Sequence, residues 1–167
     1  MSFWKMFSKS DTDNKSTLEH NLKLEFPDFS DEKLIKLASI SGLLSVVAFT
    51  DLIITENEKA AIKDGLKEWT NLTQEEIDAV SEISQKHAKE LIDLENHLYA
   101  NSLNETMSKD EKYYLIESLF DIAASDNHVS NQESEQIRSI SINLKLPRNL
   151  FLAARAKVAE RLDVLKS

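Results

Sequence analysis

Glycine and proline are scarce in this chain, with two of each among its 167 residues. Average proteins contain about 7% glycine and about 5% proline, and an antiparallel β fold needs both residues at its many turns. The length suits one domain with a substantial core and leaves too little chain for a second independent domain. The sequence therefore predicts a single all-α domain, a compact helical bundle of about six to seven helices.

Helix starts are indicated by capping boxes, in which a Ser or Thr oxygen accepts from the amide three residues on, and a Glu at that position bonds back. Four complete boxes pair Thr55 with Glu58, Thr73 with Glu76, Ser108 with Glu111, and Ser130 with Glu133, and Ser30 begins an incomplete fifth. Apolar residues recur between them at steps of three and four. Helices are predicted near 18–26, 31–50, 55–69, 73–100, 108–125, 130–144 and 147–165. The uncharged run over residues 37–50 predicts a buried core helix.

An internal repeat appears when the chain is aligned with itself at an offset of 75 residues. The first half contributes Leu44, Val47, Ala48, Asp51, Ile54, Thr55, Glu58 and Ile62, and the second half contributes Leu119, Ile122, Ala123, Asp126, Val129, Ser130, Glu133 and Ile137. With one gap, residues 73–77 align with residues 147–151. The repeats, at about 34–80 and 109–158, predict two helical hairpins that pack face to face about a pseudo-twofold axis. Residues 1–29 are predicted to be a flexible tail with a short helix, and residues 30–167 the helical domain.

Charge and composition exclude several classes of protein. A net charge of −9 repels nucleic acid, and no Lys/Arg cluster with interleaved aromatic residues offsets it. The absence of cysteine excludes disulfides and thiolate metal sites, in agreement with a reducing compartment. Residues 1–7 lack the apolar region of a signal peptide, and the longest uncharged run is shorter than the roughly 20 residues needed to cross a bilayer. A cytoplasmic protein is predicted.

The repeated pattern Asp-x-x-(Ile/Val)-(Thr/Ser)-x-x-Glu, following an Ala-containing helix, resembles the TerB-like tellurite-resistance family. Its fold is shared with the N-terminal region of DjlA-type co-chaperones, although this chain has no His-Pro-Asp motif and hence no J-domain. The similarity covers roughly residues 34–158. The resemblance implies a compact helical module linked to stress responses, with a divalent cation held by acidic residues. Those residues correspond here to Asp51, Glu58, Asp126 and Glu133.

The turn residues depart from the family pattern, which usually has Asp-Gly. This chain has Asp51-Leu52 in the first turn and Asp126-Asn127 in the second. Asn tolerates a positive φ, whereas Leu does not. A distorted first turn is therefore predicted.

Four carboxylates gathered by the pseudo-twofold would offer the hard oxygen ligands that calcium or magnesium prefers. His128 in the second turn would add a nitrogen suited to zinc, or it is a solvated turn residue. The alternative for the acids is structural: Glu58 and Glu133 close capping boxes, while Asp51 and Asp126 bond turn amides. A second metal interpretation places His87, Glu90, Asp93 and His97 on one helix face, which is otherwise a solvated face.

No motif for nucleophilic catalysis, phosphate binding or zinc hydrolysis is present. The sequence therefore favours a non-enzymatic module that binds a divalent cation, a protein partner or both. The alternatives are a metal-dependent hydrolase that uses the same carboxylates and a purely structural scaffold without metal.

The N-terminal tip combines aromatic and basic residues. Phe3, Trp4, Met6 and Phe7 accompany Lys5 and Lys9 within residues 1–9. Contact with a protein surface is the favoured interpretation, and weak peripheral membrane contact is the alternative. Four other aromatic residues at helical spacing are predicted to lie in the core, namely Trp69, Tyr113, Tyr114 and Phe120.

Overall fold

The computed structural model describes residues 18–51, 53–90 and 96–166, and the N-terminal tip lies outside them. Within these ranges the chain forms eight α-helices and no strand, which confirms the all-α prediction. The helices are α1 (Leu18–Glu25), α2 (Asp31–Ala48), α3 (Glu56–Trp69), α4 (Gln74–Glu90), α5 (Asn96–Asn104), α6 (Lys109–Ala123), α7 (Asn131–Asn143) and α8 (Arg148–Lys166). Short 3-10 turns at Phe49–Asp51 and Ala124–Asp126 follow α2 and α6.

The predicted capping boxes all form. Thr55, Ser108 and Ser130 each exchange hydrogen bonds with the Glu three residues on. At α4, the Thr73 amide donates to Glu76 Oε1 at 2.9 Å, and the Glu76 amide donates to Thr73 Oγ1 at 3.2 Å. Helix starts are therefore determined locally, because each box satisfies amides that the first turn leaves without helical partners.

Helix α2 lies at the centre of the bundle. It packs against α1, α3, α4, α5 and α6, and every residue from 37 to 48 is buried. The prediction of an uncharged core helix is confirmed. Its buried hydroxyls are satisfied by hydrogen bonds, for example from Ser45 Oγ to Ser84 Oγ of α4 at 3.0 Å, as buried polar groups require.

Helix α1 belongs to the core. Leu18 and Leu22 are fully buried, and α1 packs against α2 and α4. Residues 18–25, predicted as a short helix within the N-terminal tail, are therefore part of the packed bundle.

The region predicted as one helix over residues 73–100 contains α4 and α5, with residues 91–95 outside the described ranges. Helix α5 continues to Asn104, beyond the predicted end. His87 is 4% exposed, so the predicted solvated face is wrong at that position. Asp93 and the side chains of Glu90 and His97 lie outside the described residues.

The aromatic predictions hold except at Tyr114. Phe120 is buried against the ring of Phe151, and the half-buried Trp69 donates from Nε1 to Ser118 Oγ at 3.1 Å. Tyr113 is partly buried against the core, whereas Tyr114 is 56% exposed, so its prediction as a core residue is wrong. Tyr114 follows Tyr113 directly, and the angular step of a helix turns it out of the core.

The two halves repeat the same order of elements. A core helix, a 3-10 turn, a capped helix and a further helix occur as α2, α3 and α4, and again as α6, α7 and α8. In the second turn Asn127 has φ 64°, the left-handed conformation that Asn tolerates at the family's glycine position. Leu52 of the first turn lies outside the described residues. None of the helices in the described ranges has the length and apolar character of a membrane span.

Candidate cation site between the two halves

Asp126, at the end of the second 3-10 turn, binds the first half of the chain directly. Its Oδ2 accepts from Thr55 Oγ1 at 2.9 Å, and its Oδ1 accepts from Asn57 Nδ2 at 3.0 Å. The Thr55 hydroxyl also accepts from the Glu58 amide at 3.1 Å. The N-terminus of α3 is thereby joined to the turn that precedes α7.

The two capping glutamates of the repeat are buried, although each carries a carboxylate. Glu58 is 3% exposed and Glu133 is 4% exposed. Glu58 Oε2 accepts from the Thr55 amide at 2.9 Å, and Glu133 Oε2 accepts from the Ser130 amide at 2.8 Å. The structural interpretation from the sequence, that these glutamates close capping boxes, is confirmed.

The carboxylates of the two halves repel each other across the interface. Burial raises the pKa of Glu58 above its ordinary value of 4.5, the hydrogen bond from the Thr55 amide lowers it, and the charges of Asp126 and Glu133 raise it further. The net shift is upward. We call Glu58, Asp126 and Glu133 the acidic cluster.

The pH dependence of stability is expected to reveal the raised pKa of Glu58, to which burial contributes most and the charges of Asp126 and Glu133 contribute further. Because the folded state holds the Glu58 proton more tightly than the unfolded state, the stability from this group is present below pH 4.5 and is lost as the pH rises through the folded pKa. Urea unfolding measured from pH 4.5 upward should therefore show a shallower decline for Glu58→Gln than for the wild type. Equal slopes would show that the pKa of Glu58 is not raised in the folded state.

Glu76 provides the matched control, because it closes the same kind of capping box at an exposed site. The hydrogen bonds from the Thr73 amide and hydroxyl lower its pKa below 4.5. Its contribution to stability is present above pH 4.5 and is lost as the pH falls through the lowered pKa. Glu76→Gln should therefore leave the slope above pH 4.5 unchanged and alter only the acid side.

Three of the four acids named from the sequence lie near this interface, within electrostatic range of Glu58. Glu58 interacts electrostatically with both Asp126 and Glu133, whereas the side chain of Asp51 lies outside the described residues. Among the side chains that the structure does describe, no three histidine or acidic groups lie close enough together to hold a metal ion. His128 is exposed in the second turn.

Sequence reasoning missed Thr55 and Asn57 as partners of Asp126. These contacts join residues 71 and 69 positions apart. The repeat predicted that the halves meet, but it carries no signal for which polar groups pair across them. The role of Thr55 in its capping box could be predicted from neighbouring residues, whereas its hydrogen bond to Asp126 could not.

The family of this chain follows from a comparison with known protein families. The model of the family "Tellurite resistance protein TerB" matches residues 36–156, which is most of the chain. The chain belongs to the TerB family. The TerB match covers nearly all of both copies of the repeat and includes all four acids, while α1 lies before it. No curated protein and no solved structure matches the chain.

Proposed function

We propose that this TerB-family chain is a non-enzymatic, cytoplasmic helical module that binds a divalent cation at the acidic cluster between its two halves. The observation that carries the proposal is the desolvated Glu58 carboxylate facing the charges of Asp126 and Glu133. Glu58 and Glu133 are buried and Asp126 is exposed, and a buried charge is costly unless an opposite charge compensates it. A cation supplies that charge.

The donor chemistry fits a hard cation. Glu58, Asp126 and Glu133 would hold it through carboxylate oxygens, which calcium and magnesium prefer. Each capping hydrogen bond engages the Oε2 atom of its glutamate. Since the described side chains alone do not form a three-ligand group, Asp51 or water is required to complete the coordination. The zinc alternative would also need the nitrogen of His128.

The consequence of binding follows from the position of the cluster. Its acids come from the N-terminal turn of α3, from the turn before α7 and from the first turn of α7. A bound cation would replace the repulsion among these acids with attraction. Binding therefore stabilises the contact between the halves, which suits a module that presents one conformation to a partner in a stress response.

A cation titration tests the proposal. Calcium, magnesium, manganese and zinc are added separately at neutral pH, and thermal unfolding is followed by circular dichroism. A cation that binds only the folded state adds about 1.4 kcal/mol at ten times its Kd. The double variant Asp126→Asn with Glu133→Gln should lose this stabilisation.

Glu111→Gln is the matched control for this titration. Glu111 closes the capping box at Ser108 and is not among the charges that act on Glu58. It should therefore retain the full cation response. An unchanged Tm with all four cations, or an equal response in the double variant, would refute cation binding at the cluster. Turnover of phosphoester substrates by the cation-loaded wild type, lost in the double variant, would favour the hydrolase alternative.

A further inference from the structure

A groove of about 500 Å³ runs between α7 and α8 and shares no residue with the acidic cluster. Its size falls within the range of about 300–1,000 Å³ that is usual for binding clefts. The lining combines apolar and basic side chains, among them Ile142, Leu146, Leu152, Arg138, Arg148 and Arg155. Ile142 is 59% exposed and offers an apolar side chain to a ligand at the edge of this cleft.

The charge around this groove is opposite to that of the whole chain. Three of its lining residues are arginines, namely Arg138, Arg148 and Arg155, and one is acidic, Glu135. The chain as a whole carries −9. Arg148 and Arg155 form no ion pair within the part of the chain that the structure describes, and Arg138 pairs only with its exposed helix neighbour Glu135 at 3.0 Å. Exposed pairs of this kind are weak.

In the first half of the chain, residues at the equivalent positions pair with each other. By the repeat alignment, Arg138 corresponds to Lys63 and Leu152 corresponds to Asp78. Lys63 Nζ lies 3.1 Å from Asp78 Oδ1, so a carboxylate on α4 neutralises the base on α3. In the second half, the position of that carboxylate is occupied by an apolar leucine. The groove between α7 and α8 therefore lacks a carboxylate at that position on α8, and Glu135 of α7 is the one acidic side chain that lines it.

A second difference between the halves points the same way. Ile142 corresponds to Lys67 and Arg148 corresponds to Gln74. Gln74 Nε2 donates to Asp78 Oδ1 at 3.0 Å, so Gln74 has a partner within the first half. Those of the second groove are an exposed isoleucine and an arginine without an ion pair among the described residues.

We propose that this groove docks an acidic amphipathic helix of a partner protein. Carboxylates of the partner would bind Arg148 and Arg155 in the way that Asp78 binds Lys63, and its apolar side chains would cover Ile142 and Leu152. Helices commonly dock in such grooves through residues spaced by three, four and seven positions. Arg148 and Arg155 are two turns apart, about 10.5 Å along the axis of α8. The spacing matches two carboxylates seven residues apart on the bound helix.

Charge and shape favour a short peptide segment over an extended anionic surface. Attraction to the arginines acts within a Debye length of about 8 Å, whereas a large anionic surface also meets the repulsion of the acidic remainder of the chain. The apolar lining provides contacts that a polyphosphate backbone does not use. Anionic membranes are the alternative ligand, and the experiment includes them.

Fluorescence anisotropy with a labelled synthetic helix tests the proposal. The probe carries Glu at positions i and i+7 and Leu at i+3 and i+4, and a second probe has Gln in place of Glu. We expect saturable binding of the Glu probe by the wild type. Arg148→Ala with Arg155→Ala should weaken that binding by about tenfold or more, and Leu152→Asp should do the same by supplying the internal carboxylate of the first half.

The control variant is Lys36→Ala with Lys67→Ala, which removes the same charge from exposed sites outside the groove. Its affinity for the Glu probe should stay within about twofold of the wild type, and the Tm of each variant verifies folding. The arginine double variant decides the outcome if Leu152→Asp does not fold. The proposal is overturned if the Glu probe does not bind, if the Gln probe binds equally well, or if the arginine variant binds as the wild type does. Binding to phosphatidylserine vesicles in place of the Glu probe would assign the groove to membranes.

Discussion

Leu22→Ala is expected to lower the free energy of unfolding by about 2–5 kcal/mol. Leu22 lies in the middle of α1, is fully buried, and belongs to the same apolar core as α2 and α4. Truncation removes its transfer free energy and leaves a cavity in a region that close packing prevents from collapsing completely. Urea unfolding followed by circular dichroism measures the loss.

Leu24→Ala is the matched control, because it makes the same change two residues away on the same helix. Leu24 is 69% exposed, so its truncation should change the free energy of unfolding by no more than about 0.5 kcal/mol. Both variants alter helix propensity equally, so their difference isolates burial. If the two losses were equal, α1 would not be an integral part of the core.

The contrast between α1 and the other helices shows what the sequence could predict. Capping boxes such as Thr55 with Glu58 act within four residues, so their chemistry is visible in the sequence and every one of them forms. The membership of Leu22 in the core depends instead on which surface of α2 and α4 receives it. This tertiary packing depends on residues far apart in the chain. The polar residues that precede Leu22 favour the prediction of a tail and not of a core helix.

The burial of individual side chains could be predicted only where uncharged residues cover most of the helix surface. The run in α2 has no charged residue from 37 to 50, so burial followed from composition alone. Tyr114 and His87 lie in mixed stretches, where small rotations of the helix decide whether a side chain is buried. Tyr114 is exposed and His87 is buried, each against the prediction.

At the acidic cluster, the repeat predicted that the two halves come into contact, but it did not predict which hydrogen bonds join them. The charges of Asp126 and Glu133 act on Glu58, as the internal symmetry implied. The bonds from Thr55 and Asn57 to Asp126 depend on how far one half is rotated on the other. Likewise, the sequence alone does not reveal the groove between α7 and α8. Its missing carboxylate on α8 is recognised from the contacts that the equivalent residues make in the first half.

Gly42→Ala is expected to destabilise the protein by about 2–3 kcal/mol, although glycine to alanine within a helix normally stabilises by roughly 1 kcal/mol. Gly42 lies in α2 where α5 crosses it. A Cβ atom there would lie 2.7 Å from Cε2 of Tyr99 and 3.0 Å from two further ring atoms. The ring is 1% exposed and fully enclosed, so relieving the overlap requires α2 and α5 to separate.

Gly65→Ala tests whether the steric contact or the loss of glycine itself determines the effect. Its Cβ would lie 3.3 Å from Cδ1 of Leu44, the flexible end of a side chain that can shift by a few tenths of an ångström. The gain in helix propensity should then prevail, leaving stability unchanged or raised by up to about 1 kcal/mol. For a chain of this size, Tm moves by about 2–4 °C per kcal/mol, so thermal unfolding resolves the opposite signs. Equal shifts in the two variants would mean that Tyr99 does not pack on Gly42 as closely as the structure shows.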